Sequence, residues 1–252
     1  MIEKIKNLEG GLRTPAEADE GCRVKECFDK NCCSWDKKIE NFPKYVRRQN
    51  LTRFLALYEL FKKILPLKGS IVECGVFQGF GIMSWLKFSA ILEPVNLTRR
   101  IYGFDSFSGF PSVSEADRTV VSNQVAEGGL YANSKEELEE LISIVDKTRF
   151  LGHVNKVELI QGDACKSIPD FMNKKKHLLI SLLFMDFDLY EPTKIALENF
   201  LPRMPKGSIL AFDELDNPLW PGETLAMIEK FSNKIPKIQR FDFDPYIGYI
   251  EI

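Results

Sequence analysis

The chain has 252 residues, 44% hydrophobic and 12% aromatic, enough to bury a substantial core in one domain with a modest extension. Its 34 Lys and Arg nearly balance 36 Asp and Glu, and the basic residues are dispersed, which leaves no electrostatic footprint for nucleic acid or anionic lipid. No run reaches the roughly 18 apolar residues of a membrane span, and the opening MIEKIKNLEG lacks the apolar stretch of a signal peptide, so the expectation is a cytoplasmic protein with small-molecule partners.

Residues 1–44 read as an N-terminal arm, loosely ordered because 1–40 are polar and weakly periodic. Cys22, Cys27, Cys32 and Cys33 gather there without the CxxC pairs of a zinc site, so free thiols are expected. An arm of this length allows packing on a second copy, as in a homo-oligomer. One domain is expected over 45–252. Over 45–65, Phe54, Leu55, Leu57, Tyr58, Phe61, Ile64 and Leu65 recur at helical spacing until Pro66 and Gly69 stop the run.

The chain then alternates. SIVEC, RIYGFD, KVELIQGD, LLISLLFMD and GSILAFD are candidate strands, with helices starting near Gly81, Lys135, Lys166, Glu191 and Gly222. Such alternation predicts an α/β fold with a parallel sheet covered on both faces. The closing KIQRFDFDPYIGYIEI, two β-patterned pieces split by Asp-Pro, predicts a terminal hairpin at the sheet edge. Residues 106–134, with Gly109, Pro111, Gly128 and Gly129, exceed an ordinary connection and read as a lid.

Four acids stand at strand ends: Asp186 and Asp188 close LLISLLFMDFD, and Asp213 and Glu214 close KGSILAFDE. Carboxylates in that density suit Mg²⁺ or another divalent cation, and without a compensating cation they repel one another. Singly, Asp188, Asp213 and Glu214 also read as helix caps. Upstream, SIVECGVFQGFG places Glu73, Gly75, Gly79 and Gly81 at a strand-to-helix turn, and Asp105 ends the next strand. A glycine turn followed by such an acid indicates a bound nucleoside, with the acid on the ribose hydroxyls. Asp163, ending QGD, can take an adenine amino group with Ala164 offering a backbone amide, or can cap the next helix.

The ExGxxxGxG turn, FDSFSGFP, QGDA and MDFDLYEPTKIALENFLPRMPKGSILAFDE resemble the macrocin O-methyltransferase family over roughly residues 45–252. That resemblance implies a Rossmann-like class I methyltransferase fold, with a mostly parallel seven-stranded sheet ending in an antiparallel hairpin. It implies S-adenosyl-L-methionine as cofactor, held by Glu73, Gly75, Gly79, Asp105, Ser106, Asp163 and Ala164. It further implies a sugar hydroxyl as acceptor, a divalent cation on Asp186, Asp213 and Glu214, and Asp188 as general base beside Asp186. The family pattern has a second Asp where this chain has Glu214, whose longer side chain must fold back to reach the same ion.

Two other readings stand beside this one. Gly75, Gly79 and Gly81 with Tyr190-x-x-x-Lys194 match the spacing of short-chain dehydrogenases, although Pro192 confines Tyr190 to a helix start and the acids go unexplained. A non-catalytic nucleoside-binding protein of the same fold is the other. His153 and His177 have no nearby Cys or His partner and read as surface or packing residues rather than ligands, Trp85 reads as core, and Trp220, just beyond the acid pair, reads as a wall of the acceptor pocket.

Overall fold

The structure is a computed structural model and describes residues 14–118, 125–232 and 234–252. Residues 1–13 of the expected arm and 119–124 of the expected lid lie outside the described residues. The chain forms two compact units that divide between Leu55 and Ala56.

In the first unit, α1 spans Pro15–Lys30 and α2 spans Trp35–Glu40. This corrects the expectation of a loosely ordered arm. Thr14 and Glu17 form a capping box, with Glu17 N–H donating to Thr14 Oγ1 at 3.2 Å and Thr14 N–H donating to Glu17 Oε2 at 2.9 Å, while Pro15 occupies the first helical position. The signal T-P-A-E was present but lay in a stretch without strong apolar periodicity. Tyr45 then packs edge-on against Phe28 and accepts a hydrogen bond from Asn31 Nδ2 at 2.7 Å.

The second unit begins within α3 (Arg48–Ile64), whose Ala56, Leu57, Leu60, Phe61 and Ile64 are buried. Five strands follow as expected: β1 (Ser70–Cys74), β2 (Ile101–Asp105), β3 (Val157–Gln161), β4 (Ile180–Met185) and β5 (Ile209–Phe212). Between and after them run α4 (Phe80–Leu92), α5 (Lys135–Thr148), α6 (Ala164–Lys174), α7 (Tyr190–Phe200) and α8 (Pro221–Lys230). The tail supplies β6 (Gln239–Arg240) and β7 (Gly248–Glu251).

These form a seven-stranded sheet in the order β3-β2-β1-β4-β5-β7-β6, parallel from β1 to β5, with β7 antiparallel to both β5 and β6. It is the doubly wound, Rossmann-like order that the resemblance implies, closed by the expected hairpin. Every residue of β1, β4 and β5 is buried, as continuous apolar strands covered on both faces require. On one face Trp85 meets Phe61, Phe88 and Phe184, and on the other Phe104 meets Phe171 and Phe200. No helix among the described residues is long and apolar enough to cross a membrane.

At the edge where the parallel strands begin, Arg99 is buried with 1% of its side chain exposed. Its guanidinium pairs with Glu93 at 3.0 Å and donates to the carbonyls of Ile64 and Leu67, each 2.9 Å, of Gly69 at 2.8 Å, and to the Ser181 hydroxyl. One side chain thus ties the end of α3 to β1, β2 and β4. Removing one member of a buried, hydrogen-bonded pair leaves the other charge uncompensated. Arg99→Met is expected to lower unfolding free energy by about 3–5 kcal/mol in urea denaturation, and a loss under about 1 kcal/mol would refute this anchoring role.

Candidate functional site

The chain moves from β1 through β2 to β3 on one side and then returns past β1 to β4, so the strand order reverses between β1 and β4. Open α/β sheets bind ligands outside the C-terminal strand ends at such a point. β1 runs there into Gly75 (φ 98), and a turn closes at Gly79 (φ 83), which precedes α4. Asp186 N–H donates to the Cys74 carbonyl at 2.7 Å, and a Cβ on Gly75 would overlap the Asp186 carbonyl oxygen. Glycine therefore lets the turns after β1 and β4 run against one another.

Glu73 is buried within β1, where Oε2 accepts from Trp85 Nε1 at 2.6 Å and the carboxylate occupies the space a side chain on Gly81 would need. It faces the first turn of α4. Asp105 ends β2, and its Oδ2 accepts from the Val76 and Phe77 amides, each at 2.8 Å, while Oδ1 accepts from the Phe107 amide at 2.7 Å. Three bonds leave about one of a carboxylate's four lone-pair directions for a ligand. Ser106 Oγ donates to the Gly109 carbonyl at 2.6 Å, shaping the start of the long connection. Asp163 caps α6, accepting from Cys165 N–H at 3.0 Å, so Ala164 is the first helical residue and the helix starts ahead of Lys166. The cap leaves its other oxygen 3.3 Å from Lys166 Nζ.

On the other side of the reversal, Met185 pairs with Phe212 in the β4–β5 ladder, so Asp186 and Asp213 emerge side by side, and Asp213 N–H donates to the Met185 carbonyl at 2.9 Å. Asp213 is buried, and Glu214 beside it accepts from Asn217 Nδ2 at 2.7 Å. The donors are all carboxylate oxygens, the chemistry of a hard cation site. Among the described residues, no group of three or more His, Cys, Asp or Glu side chains is arranged to hold a metal ion, so Asp186, Asp213 and Glu214 do not form the expected cation site as their side chains stand.

Asp188 adopts left-handed backbone geometry (φ 63) in the turn from β4 to α7. Two carboxylates that sequence reasoning missed border it. Glu223 of α8, 1% exposed, accepts through Oε1 from the amides of Phe187 at 2.9 Å and Asp188 at 3.2 Å. Burial first, then the Asp213 and Glu214 carboxylates, push its pKa up to about 8 against the opposing pull of those amides. Asp117, also buried, accepts from the Tyr190 amide at 2.6 Å. Neither was legible, because Glu223 sits 36 and 35 residues from the two amides it binds and Asp117 sits 73 from that of Tyr190. The one local sign is Ser114-x-x-Asp117, which forms its own capping box.

Trp220 lies beyond the acid pair, and its ring meets Phe110 edge-on at 6.2 Å between centroids. Tyr190 and Lys194 stand together, Lys194 Nζ donating to the Tyr190 hydroxyl at 3.4 Å, and both groups engage Glu229 of α8. The Tyr190 hydroxyl donates to Glu229 and Lys194 Nζ donates to the same carboxylate at 2.8 Å, which fastens α7 to α8. His153 and His177 are exposed and Trp85 is fully buried.

A methyltransferase domain family matches residues 72–215. A curated relative, the 8-demethyl-8-(2,3-dimethoxy-alpha-L-rhamnosyl)-tetracenomycin-C 4'-O-methyltransferase of Streptomyces olivaceus, is 28% identical over 153 residues, 58% of this chain and 52% of that protein. The chain thus matches about half the length of that relative. The solved calicheamicin methyltransferase CalS11 superposes with a TM-score of 0.90 at 32% identity, covering 95% of this chain and 93% of its own. An apo structure of CalS11, described as a TDP-rhamnose 3'-O-methyltransferase, gives 0.81 at 30% identity with 95% of each chain covered.

The contact between the turns after β1 and β4 is directly testable. Gly75→Ala combines a left-handed backbone with a clash against the Asp186 carbonyl, and is expected to cost about 1–3 kcal/mol of stability. Chemical denaturation measures it, and an unchanged midpoint would refute the close approach.

Proposed function

Because the chain belongs to the methyltransferase domain family, we propose that it transfers the methyl group of S-adenosylmethionine to a hydroxyl of a sugar, free as a nucleotide sugar or attached to a small molecule. Within that family we place it with the macrocin-type sugar O-methyltransferases, with 45–252 as the catalytic domain. The carrying observation is that one sheet edge gathers the glycine turn and Asp105 from β1 and β2 beside Asp186, Asp188, Asp213 and Glu214 from the ends of β4 and β5. The rhamnose-methylating descriptions of CalS11 and the tetracenomycin enzyme support a sugar acceptor. Six free thiols support a reducing, cytoplasmic setting.

S-adenosylmethionine would supply a methyl carbon already bonded to an excellent sulfide leaving group, so the chemical difficulty lies with the weakly acidic sugar hydroxyl. The turn 75–79 offers backbone without side chains for the cofactor to approach, and Asp105 both fixes that turn and offers its remaining lone pair to the ribose. Glu73, from beneath, sets where α4 begins. Ser106, Asp163 and Ala164 complete the cofactor side from the ends of β2 and β3. Asp188 takes the hydroxyl proton as general base. Asp186, Asp213 and Glu214 do not converge on one point as they stand, so their side chains would have to draw together to hold Mg²⁺ or another divalent cation, which would lower the proton affinity of a bound hydroxyl. Holding oxygen, methyl carbon and sulfur in line contributes much of the remaining acceleration.

Methyl transfer from labelled S-adenosylmethionine to TDP-rhamnose and to rhamnosylated small molecules tests the activity; label in a methylated sugar is expected, and none in any acceptor would count against it. Asp186→Asn is expected to reduce turnover by about 100-fold or more with S-adenosylhomocysteine affinity nearly intact, whereas Asp105→Ala weakens that affinity by about tenfold. Equal loss of cofactor affinity in both would mean that the acids are assigned to the wrong pockets. Exhaustive chelation is expected to remove activity and added Mg²⁺ to restore it; full activity after chelation would exclude the cation role.

A further inference from the structure

Asp188 carries a backbone conformation that a non-glycine residue adopts at a cost of about 1–3 kcal/mol, so the surrounding structure must hold it there. Carboxylates from elsewhere in the chain hold the amides of Phe187 and of Asp188 itself and, two residues on, that of Tyr190. Glu223 reaches from α8 and takes the Phe187 and Asp188 amides on one oxygen, at 2.9 and 3.2 Å. Asp117 takes the Tyr190 amide at 2.6 Å, filling a capping role at the start of α7 for which Leu189 has no side-chain acceptor.

Both carboxylates are buried, at 1% and 2% exposure, so neither bond is exchanged for water. Asp117 is itself fixed, its Oδ2 accepting from the Ser114 amide at 3.0 Å and hydroxyl at 2.6 Å. Gly222 is what admits the arrangement, since a Cβ there would overlap Asp117 Oδ1 and lie 2.7 Å from the Asp188 carbonyl oxygen. A buried carboxylate costs free energy, and a segment needing only to be a turn does not require two.

We propose that Glu223 and Asp117 are positioning residues that clamp the Phe187–Tyr190 turn from two sides and so aim the Asp188 carboxylate at the acceptor hydroxyl. This rests on the assignment of Asp188 as general base. The clamp works through oxygen acceptors rather than charge, which separates it from a second base or a cation ligand.

The test uses Glu223→Gln, which keeps an oxygen acceptor, Glu223→Leu, which removes it, and Asp117→Ala as an independent variant. With TDP-rhamnose as acceptor, Glu223→Leu and Asp117→Ala are expected to lower kcat by about tenfold or more while S-adenosylhomocysteine Kd stays within about threefold, and Glu223→Gln to keep kcat within about threefold. In an Asp188→Asn background, Glu223→Leu is expected to cause no further loss. Full kcat in Glu223→Leu, a Gln variant as impaired as Leu, or additive losses with Asp188→Asn would each overturn the proposal. Amide hydrogen exchange at Phe187 and Asp188 reads the clamp without turnover: faster exchange in Glu223→Leu but not Glu223→Gln is expected, and equal exchange overturns it. Absence of methyl transfer by the wild-type protein would instead count against the proposed function, with the exchange measurement still deciding the clamp.

Discussion

Carboxylates crowd the C-terminal edge of the sheet, and their mutual repulsion is the constraint that the local structure answers. Asp105, Asp163, Asp186, Asp188, Asp213 and Glu214 all stand at or just beyond strand ends, with Asp117 and Glu223 packed beside them. Much of the compensation is supplied by backbone N–H groups. Asp105 takes three, Glu223 takes two, and Asp117 and Asp163 hold others at helix starts. Each such bond satisfies a donor that a turn would otherwise leave open, so the carboxyl groups that crowd the edge also order its loops.

This explains how short turns become a defined site. Gly75 brings the β1 turn against the β4 turn, Asp105 ties the first to β2, and Glu223 ties the second to α8. The cofactor side and the acceptor side of the proposed reaction are therefore braced by neighbouring backbone rather than by separate lobes. A reaction that depends on three atoms in line benefits from such bracing, because misplacement of either partner costs rate steeply.

The sheet and its helices were legible in the sequence because their signals are local: apolar runs ending in Asp mark β2, β4 and β5, the glycine turn ahead of Gly81 marks the start of α4, and helical spacing after Gly222 marks α8. The acids at the strand ends were legible for the same reason. What escaped was of two kinds. Helix α1 was missed although Thr14 and Glu17 announce its start, since a polar helix lacks the periodicity on which the reading relied. Glu223 and Asp117 were missed because their roles arise only when α8 and the segment after β2 fold back onto the β4 turn. Asp105 and Asp163 stood between: their positions were legible, but the amides each one holds were not.

The central claim is that the reversal between β1 and β4 is a methyl-donor site. Calorimetric titration with S-adenosylhomocysteine and, separately, with NAD tests it most directly. The account predicts saturable one-to-one binding of S-adenosylhomocysteine and no heat from NAD. Binding of NAD with none of S-adenosylhomocysteine would contradict it.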